Sequence, residues 1–198
     1  MALGLCSLII STAVHAENWP QWRGPAFNGT SLETGLPEKF SKTENIAWSI
    51  PLSGGSAATP IIWEDSIFVT SHDGKTKDLQ AVCINRKDGT IRWKKNIGIE
   101  TSKASPTGKN THASPSAVTD GKRVWFTFGS GAIVAYDFDG KELWSKSLPK
   151  EYGALTYMHG YSSTPLLHEG KLYVPLLRRE HAVDNPGARA DKPYESFF

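Results

Sequence analysis

The feature that most constrains this chain is a hairpin motif that occurs twice. Asp88-Gly89-Thr90-Ile91-Arg92-Trp93 is matched by Asp139-Gly140-Lys141-Glu142-Leu143-Trp144, with the two tryptophans 51 residues apart. Each copy follows an apolar run, Leu79 to Ile84 in the first and Ala132 to Tyr136 in the second. Asp-Gly between alternating apolar runs is the strongest short-range hairpin signal, because glycine takes φ > 0 at little cost. A hairpin ending in tryptophan and returning at a fixed period points to a repeat architecture rather than one unrepeated core.

A second anchor marks the start of each unit: Ala58-Thr59-Pro60, Ala113-Ser114-Pro115 and Ser163-Thr164-Pro165, with prolines 55 and then 50 residues apart. After each anchor the pattern predicts an apolar strand, a tight turn and a β-rich strand. These are Thr59–Trp63 and Ser66–Ser71, then Ser114–Thr119 and Arg123–Phe128, then Thr164–His168 and Lys171–Leu177. The Asp-Gly hairpins supply strands three and four of the first two units. Repeated four-stranded antiparallel units describe the blades of an all-β fold, a β-propeller. No helix of useful length is expected.

The predicted blades cover about 46–97, 112–148 and 162–198, with Ile46–Leu52, which holds Trp48, read as a first strand. The third is incomplete, since Glu195-Ser196-Phe197-Phe198 reads as the opening of its third strand. About two and a half blades are therefore expected, a partial ring. Propellers close with roughly four to eight blades, so the reading is an N-terminal fragment of a longer propeller.

Charge and hydropathy narrow the partners. The net charge is +2 over 198 residues, with no run of Lys and Arg, so nucleic acid is not an expected partner. No stretch reaches the roughly 18 apolar residues of a spanning helix. Leu3 to Val14 is a short apolar stretch ending in Val14-His15-Ala16, which predicts a signal peptide over residues 1–16 despite a missing basic start. Export makes the protein periplasmic or secreted. Residues 17–45 read as an extended arm that packs Trp19 and Trp22 on the domain. Beyond the leader, Cys83 is the one cysteine of the chain, which leaves no disulfide framework and no Cys-based metal site. It reads as a small inward-facing strand residue.

The repeat resembles that of the pyrroloquinoline-quinone (PQQ)-like propeller family, whose hairpin runs roughly Ala-x-Asp-x-x-Thr-Gly-Lys-x-x-Trp. Cys83, Asn85, Asp88, Gly89, Thr90 and Trp93 match or substitute that pattern, as do Ala135, Asp137, Gly140, Lys141 and Trp144 with one residue fewer in the turn. The opening Trp19-Pro20-Gln21-Trp22-Arg23-Gly24-Pro25 also resembles secreted bacterial members of the group. The resemblance implies that Trp93 and Trp144 dock between neighbouring blades, with Gly89 and Gly140 in the hairpins. Catalytic members, the quinoprotein alcohol dehydrogenases, carry a vicinal Cys-Cys pair and a Ca²⁺ site of Glu, Asn and Asp. This chain has no such cysteine pair, and its close carboxylates Asp137 and Asp139 fall in a turn that Asx hydrogen bonding explains. Neither PQQ nor calcium is therefore expected in this part of the protein. The better match is the non-catalytic branch typified by the outer-membrane assembly factor, in which the ring is a protein-binding platform.

Meander topology places any site. The loops between strands two and three and the crossovers between blades share one face, and the turns inside the hairpins share the other. The shared-face loops are long, Ile97–Ala113, Leu148–Ser163 and Arg178–Glu195, whereas the opposing turns are short. Long loops on a rigid scaffold are where binding usually sits. His72, His112, His159, Tyr161, Arg178, Arg179 and His181 lie there and form a candidate ligand rim. The alternative is that polar loops simply collect such side chains. No catalytic residue and no metal ligand is nominated. The expected function is a binding or scaffold module for a protein or extracellular polymer. The alternative is a quinone- and Ca-dependent dehydrogenase whose site lies largely in further blades.

Overall fold

The computed structural model describes residues 16–99, 110–153, 155 and 161–176. The leader read over residues 1–16 lies, apart from Ala16, outside them. Two four-stranded sheets dominate, each a meander in chain order. The first is β1 (Ile61–Trp63), β2 (Ser66–His72), β3 (Asp78–Asn85) and β4 (Ile91–Ile99); the second is β5 (Val118–Thr119), β6 (Arg123–Thr127), β7 (Ala132–Asp137) and β8 (Glu142–Ser147). A third unit contributes the pair β9 (Leu166–His168) and β10 (Lys171–Tyr173). All pairings within these sheets are antiparallel. These are propeller blades in a partial ring, as the repeat predicts.

The first strands of the first two blades are shorter than expected, because opening residues bond to the next blade instead of the ladder. Proline supplies no donor there, and neighbouring polar groups bond across the blade boundary. Thr59 N–H donates to Ser116 Oγ at 2.9 Å, and Ser116 N–H donates to Thr164 Oγ1 at 3.0 Å. The buried Thr70 hydroxyl donates to Ala113 O at 2.8 Å. The Ser/Thr-Pro anchors are thus interblade stitches. A short helix, α1 (Leu148–Tyr152), follows β8 with Pro149 near its start. At one turn it is too short to leave a periodic signal.

Alternation sorts the side chains into interblade cores. Phe68, Leu79, Ala81 and Cys83 on one face of the first sheet pack against Val124, Phe126, Val134 and Tyr136 of the second. The opposite face of the second sheet buries Val118, Trp125 and Ala135 against Leu167 and Leu172 of the third blade. On the opposite face of the first sheet, Val69, Val82 and Ile84 are covered by Trp48, Ile50 and Leu52. Residues 46–52 form no strand, in contrast to the sequence expectation.

The arm behaves differently from expectation in one respect. Trp19 and Ile62 exchange backbone hydrogen bonds of 2.8 and 2.9 Å on the free edge of β1, and Thr119 N–H donates to Pro20 O at 2.9 Å. The arm therefore spans the inner edges of two blades. Gly24 lies flat on the Trp19 ring, where a Cβ would come within 2.7 Å, and the buried Gln21 side chain closes the turn onto Gly24 O. Trp22 does not pack on the domain: it is 57% exposed.

Candidate functional site

The hairpin motif is used up by structure. Asp88 Oδ1 accepts from Thr90 N–H at 2.9 Å and from the Thr90 hydroxyl at 2.7 Å, which holds the Asp88 carboxyl below its ordinary range. In the second copy Asp137 Oδ1 accepts from the N–H groups of Asp139 and Lys141. Gly89 and Gly140 close these turns at φ +75° and +81°. Trp93 leaves β4, crosses to the next blade and donates its indole N–H to Phe138 O at 2.9 Å. Its ring lies against Gly140, where a Cβ would sit 2.8 Å from the indole. Trp93 thus packs on the core between the first two blades. Trp144 holds the same register in β8 and is 38% exposed.

The long-loop face gathers three of the seven rim residues. His72 ends β2, His112 precedes β5, and their rings meet edge-to-face with centroids 5.1 Å apart. Gly129 N–H donates to His112 O at 2.7 Å. A Cβ on Gly129 would sit 2.9 Å from His112 Cα and Nδ1 and 3.3 Å from Tyr161 O. Residues of three successive blades thus meet in one knot. His112 and Tyr161 are only 5% and 2% exposed, so they form a buried floor and His72 its half-buried margin. His159, Arg178, Arg179 and His181 lie outside the described residues. Gly129 joins the expected rim residues here, and Gly129-Ser130-Gly131 between two strands is a signal of such a close backbone approach.

Beside the knot, a cleft of about 620 Å³ separates the first two blades. Leu79, Ile97 and Ile133 give it apolar walls, while Ser130, Lys146 and Lys150 offer donors. Lys146 Nζ lies 3.2 Å from Glu151 across its rim, an exposed pair that costs little to open. Such a cleft suits a segment with alternating apolar and polar groups. The opposite face has a smaller pocket of about 380 Å³ beneath the hairpin turns, and Arg92 there donates to Ser66 Oγ at 2.9 Å.

Cys83 faces Trp93 across the β3–β4 ladder inside the interblade core, and burial pushes its thiol up to about 11. That is a packing residue without a thiolate to offer. Asp137 is engaged by its own turn, and among the described residues no group of three His, Cys, Asp or Glu side chains could hold a metal ion.

Fold and motif together define a PQQ-like β-propeller. A family model described as outer membrane protein assembly factor BamB matches residues 39–177, and the chain belongs to that family of repeats. It is 25% identical over 162 residues to a polyvinylalcohol dehydrogenase from Pseudomonas sp, which covers 81% of this chain and 23% of that protein. The solved quinohemoprotein alcohol dehydrogenase from Comamonas testosteroni is 18% identical with a TM-score of 0.59, over 83% of this chain and 24% of that one. BamB from Moraxella catarrhalis is 16% identical with a TM-score of 0.42, over 62% of this chain and 31% of that one. The chain thus spans about a quarter of the curated relative's length.

Proposed function

We propose that this chain is part of an exported PQQ-like propeller that acts as a binding platform for a protein or extracellular polymer. It does so without quinone in these blades. The observation that carries this reading is the division between faces. The repeat motif is engaged in hairpin and interblade bonds on one side, while the open cleft lies on the other. Export rests on the leader over residues 1–16. No helix among the described residues is long and apolar enough to cross a membrane.

The relatives include both an assembly-factor family and a dehydrogenase acting on a hydroxylated polymer, so the test must separate binding from oxidation. Intact protein is titrated with pyrroloquinoline quinone and Ca²⁺, followed by absorbance and by dye-coupled oxidation of polyvinyl alcohol and short alcohols. The binding reading expects no spectral change and no turnover. Calorimetry with polyvinyl alcohol then measures binding without chemistry, and Lys146→Ala should weaken any binding in the cleft. Turnover dependent on the quinone would replace the platform reading with the dehydrogenase.

A further inference from the structure

The opening of the arm closes on itself. Glu17 N–H donates to Glu33 Oε1, a partly buried bond between residues 16 positions apart. Ser31 links the same two residues: its hydroxyl donates to Glu17 Oε2 at 3.2 Å, and its oxygen accepts from Glu33 N–H at 3.2 Å. The loop between them is held by bonds of its own. Gly29 N–H donates to Arg23 O at 2.9 Å, the Arg23 guanidinium donates to Asn28 O at 3.2 Å, and Asn28 Oδ1 accepts from Thr30 N–H at 2.9 Å. Glu33 is thus brought to Glu17 by the fold of the loop. From Glu17 to Pro20 each residue has a fixed partner. Asn18 Oδ1 accepts from Glu64 N–H at 2.6 Å, Trp19 pairs with Ile62, and Pro20 O accepts from Thr119 N–H at 2.9 Å. Ala16, just before them, is exposed.

A neutral acceptor would satisfy an amide N–H, whereas a carboxylate suits a cation. Position 17 also follows Val14-His15-Ala16, so the nitrogen that Glu33 holds is the one that removal of the leader turns from amide to amine. We infer that Glu33 is the receptor for the mature N-terminus, forming an ion pair with the Glu17 ammonium once the leader is cut away. This rests on the export reading above. A leader peptidase adds water across the Ala16–Glu17 amide. The C–N bond breaks, Ala16 leaves as a carboxylate, and the Glu17 nitrogen takes up the protons as an ammonium. The bond to Glu33 then carries a full charge at each end. Because Trp19 and Pro20 bridge the inner edges of two blades, the pair fastens the free end of the arm beside that joint.

The test uses the intact protein, produced with its leader in an exporting bacterial host. N-terminal sequencing should begin Glu17-Asn18-Trp19-Pro20. Pulsed acylation across pH, read by mass spectrometry on the N-terminal peptide, gives the pKa of the α-amine. It should lie above the roughly 7.7–8.0 of a free α-amino group and fall towards that range in 1 M NaCl. Glu33→Gln keeps an oxygen acceptor and removes the charge. It should lower the α-amine pKa by about half a unit, which speeds acylation at pH 7 about threefold. The salt series is read on the wild type, so it decides the matter even where the variant fails to fold. The same pKa in wild type and Glu33→Gln, or a wild-type pKa indifferent to salt, would overturn the inference while export stands. A chain that begins at another residue, or keeps its leader, would overturn both.

Discussion

The indole N–H of Trp93 and the carbonyl of Phe138 form a 2.9 Å bond between residues 45 positions apart in sequence and on different blades. Around it, Trp93 makes ring contacts with Phe68, Phe126 and Tyr136, at centroid distances of 5.5 to 6.1 Å. This joint converts a local hairpin signal into a ring-building contact. Trp93→Ala should cost about 3 kcal/mol by removing a large aromatic from a packed interface. Trp93→Phe keeps much of the packing and loses the hydrogen bond, at about 1 kcal/mol. Urea unfolding of the intact protein checks both, and a smaller loss for alanine than for phenylalanine would contradict the assignment.

The inner stitches make a separate prediction. Ser116→Ala removes the acceptor of Thr59 N–H and should destabilise by about 1–3 kcal/mol, the cost of a poorly solvated donor left unmade. Ser116→Thr keeps the oxygen and should recover part of that loss. Equal losses for the two variants would show that the hydroxyl does not stitch the blades.

Cys83 gives a chemical readout of the first interblade core. Burial raises its pKa to about 11, so the folded state favours the neutral thiol. That contribution is present below the unfolded value of roughly 8.5 and declines as pH rises towards the folded value. In a Cys6→Ser background, the native protein at pH 8 should leave a thiol-reactive dye uncoupled until urea is added. Rapid labelling of the native protein would place Cys83 outside the core.

The turns and the repeat were legible because they depend on local chemistry. Asp-Gly at 88–89 and 139–140 marks backbone φ directly, and the strands after Asp65 and Gly121 are β-rich runs bounded by tight turns. Ser114 to Ala117 takes its strand expectation from its place after the repeated anchor, whereas Ser116 N–H bonds to a hydroxyl a blade away and Ser114 N–H to Thr111 O in its own loop. Trp48 was read as part of a first strand, since nothing local says that its docking hairpin lies downstream at Arg86. Of the rim, the shared face was legible from topology, and the burial of His112 and Tyr161 was not. Burial there depends on Gly129 letting two loops approach, a contact between blades.

Gly170 provides a control for the hairpin glycines. It has φ +72° with nothing within 4 Å of an added Cβ, so Gly170→Ala should cost only the left-handed penalty of about 1–2 kcal/mol. Gly140→Ala adds a collision with the Trp93 ring at 2.8 Å and should cost about 1 kcal/mol more. Thermal or urea unfolding of the two variants compares them directly. Equal costs would mean that the indole yields freely.

The Trp93 indole on the Gly140 turn is an interblade joint, and a double-mutant cycle between the two residues measures it. Removing the indole also removes the obstacle to a Cβ at position 140, so the two effects must couple. Gly140→Ala should cost at least about 1 kcal/mol less in the Trp93→Ala background than in the wild type, while Gly170→Ala costs the same in both. Additivity of Trp93→Ala and Gly140→Ala within about 0.5 kcal/mol would contradict the joint.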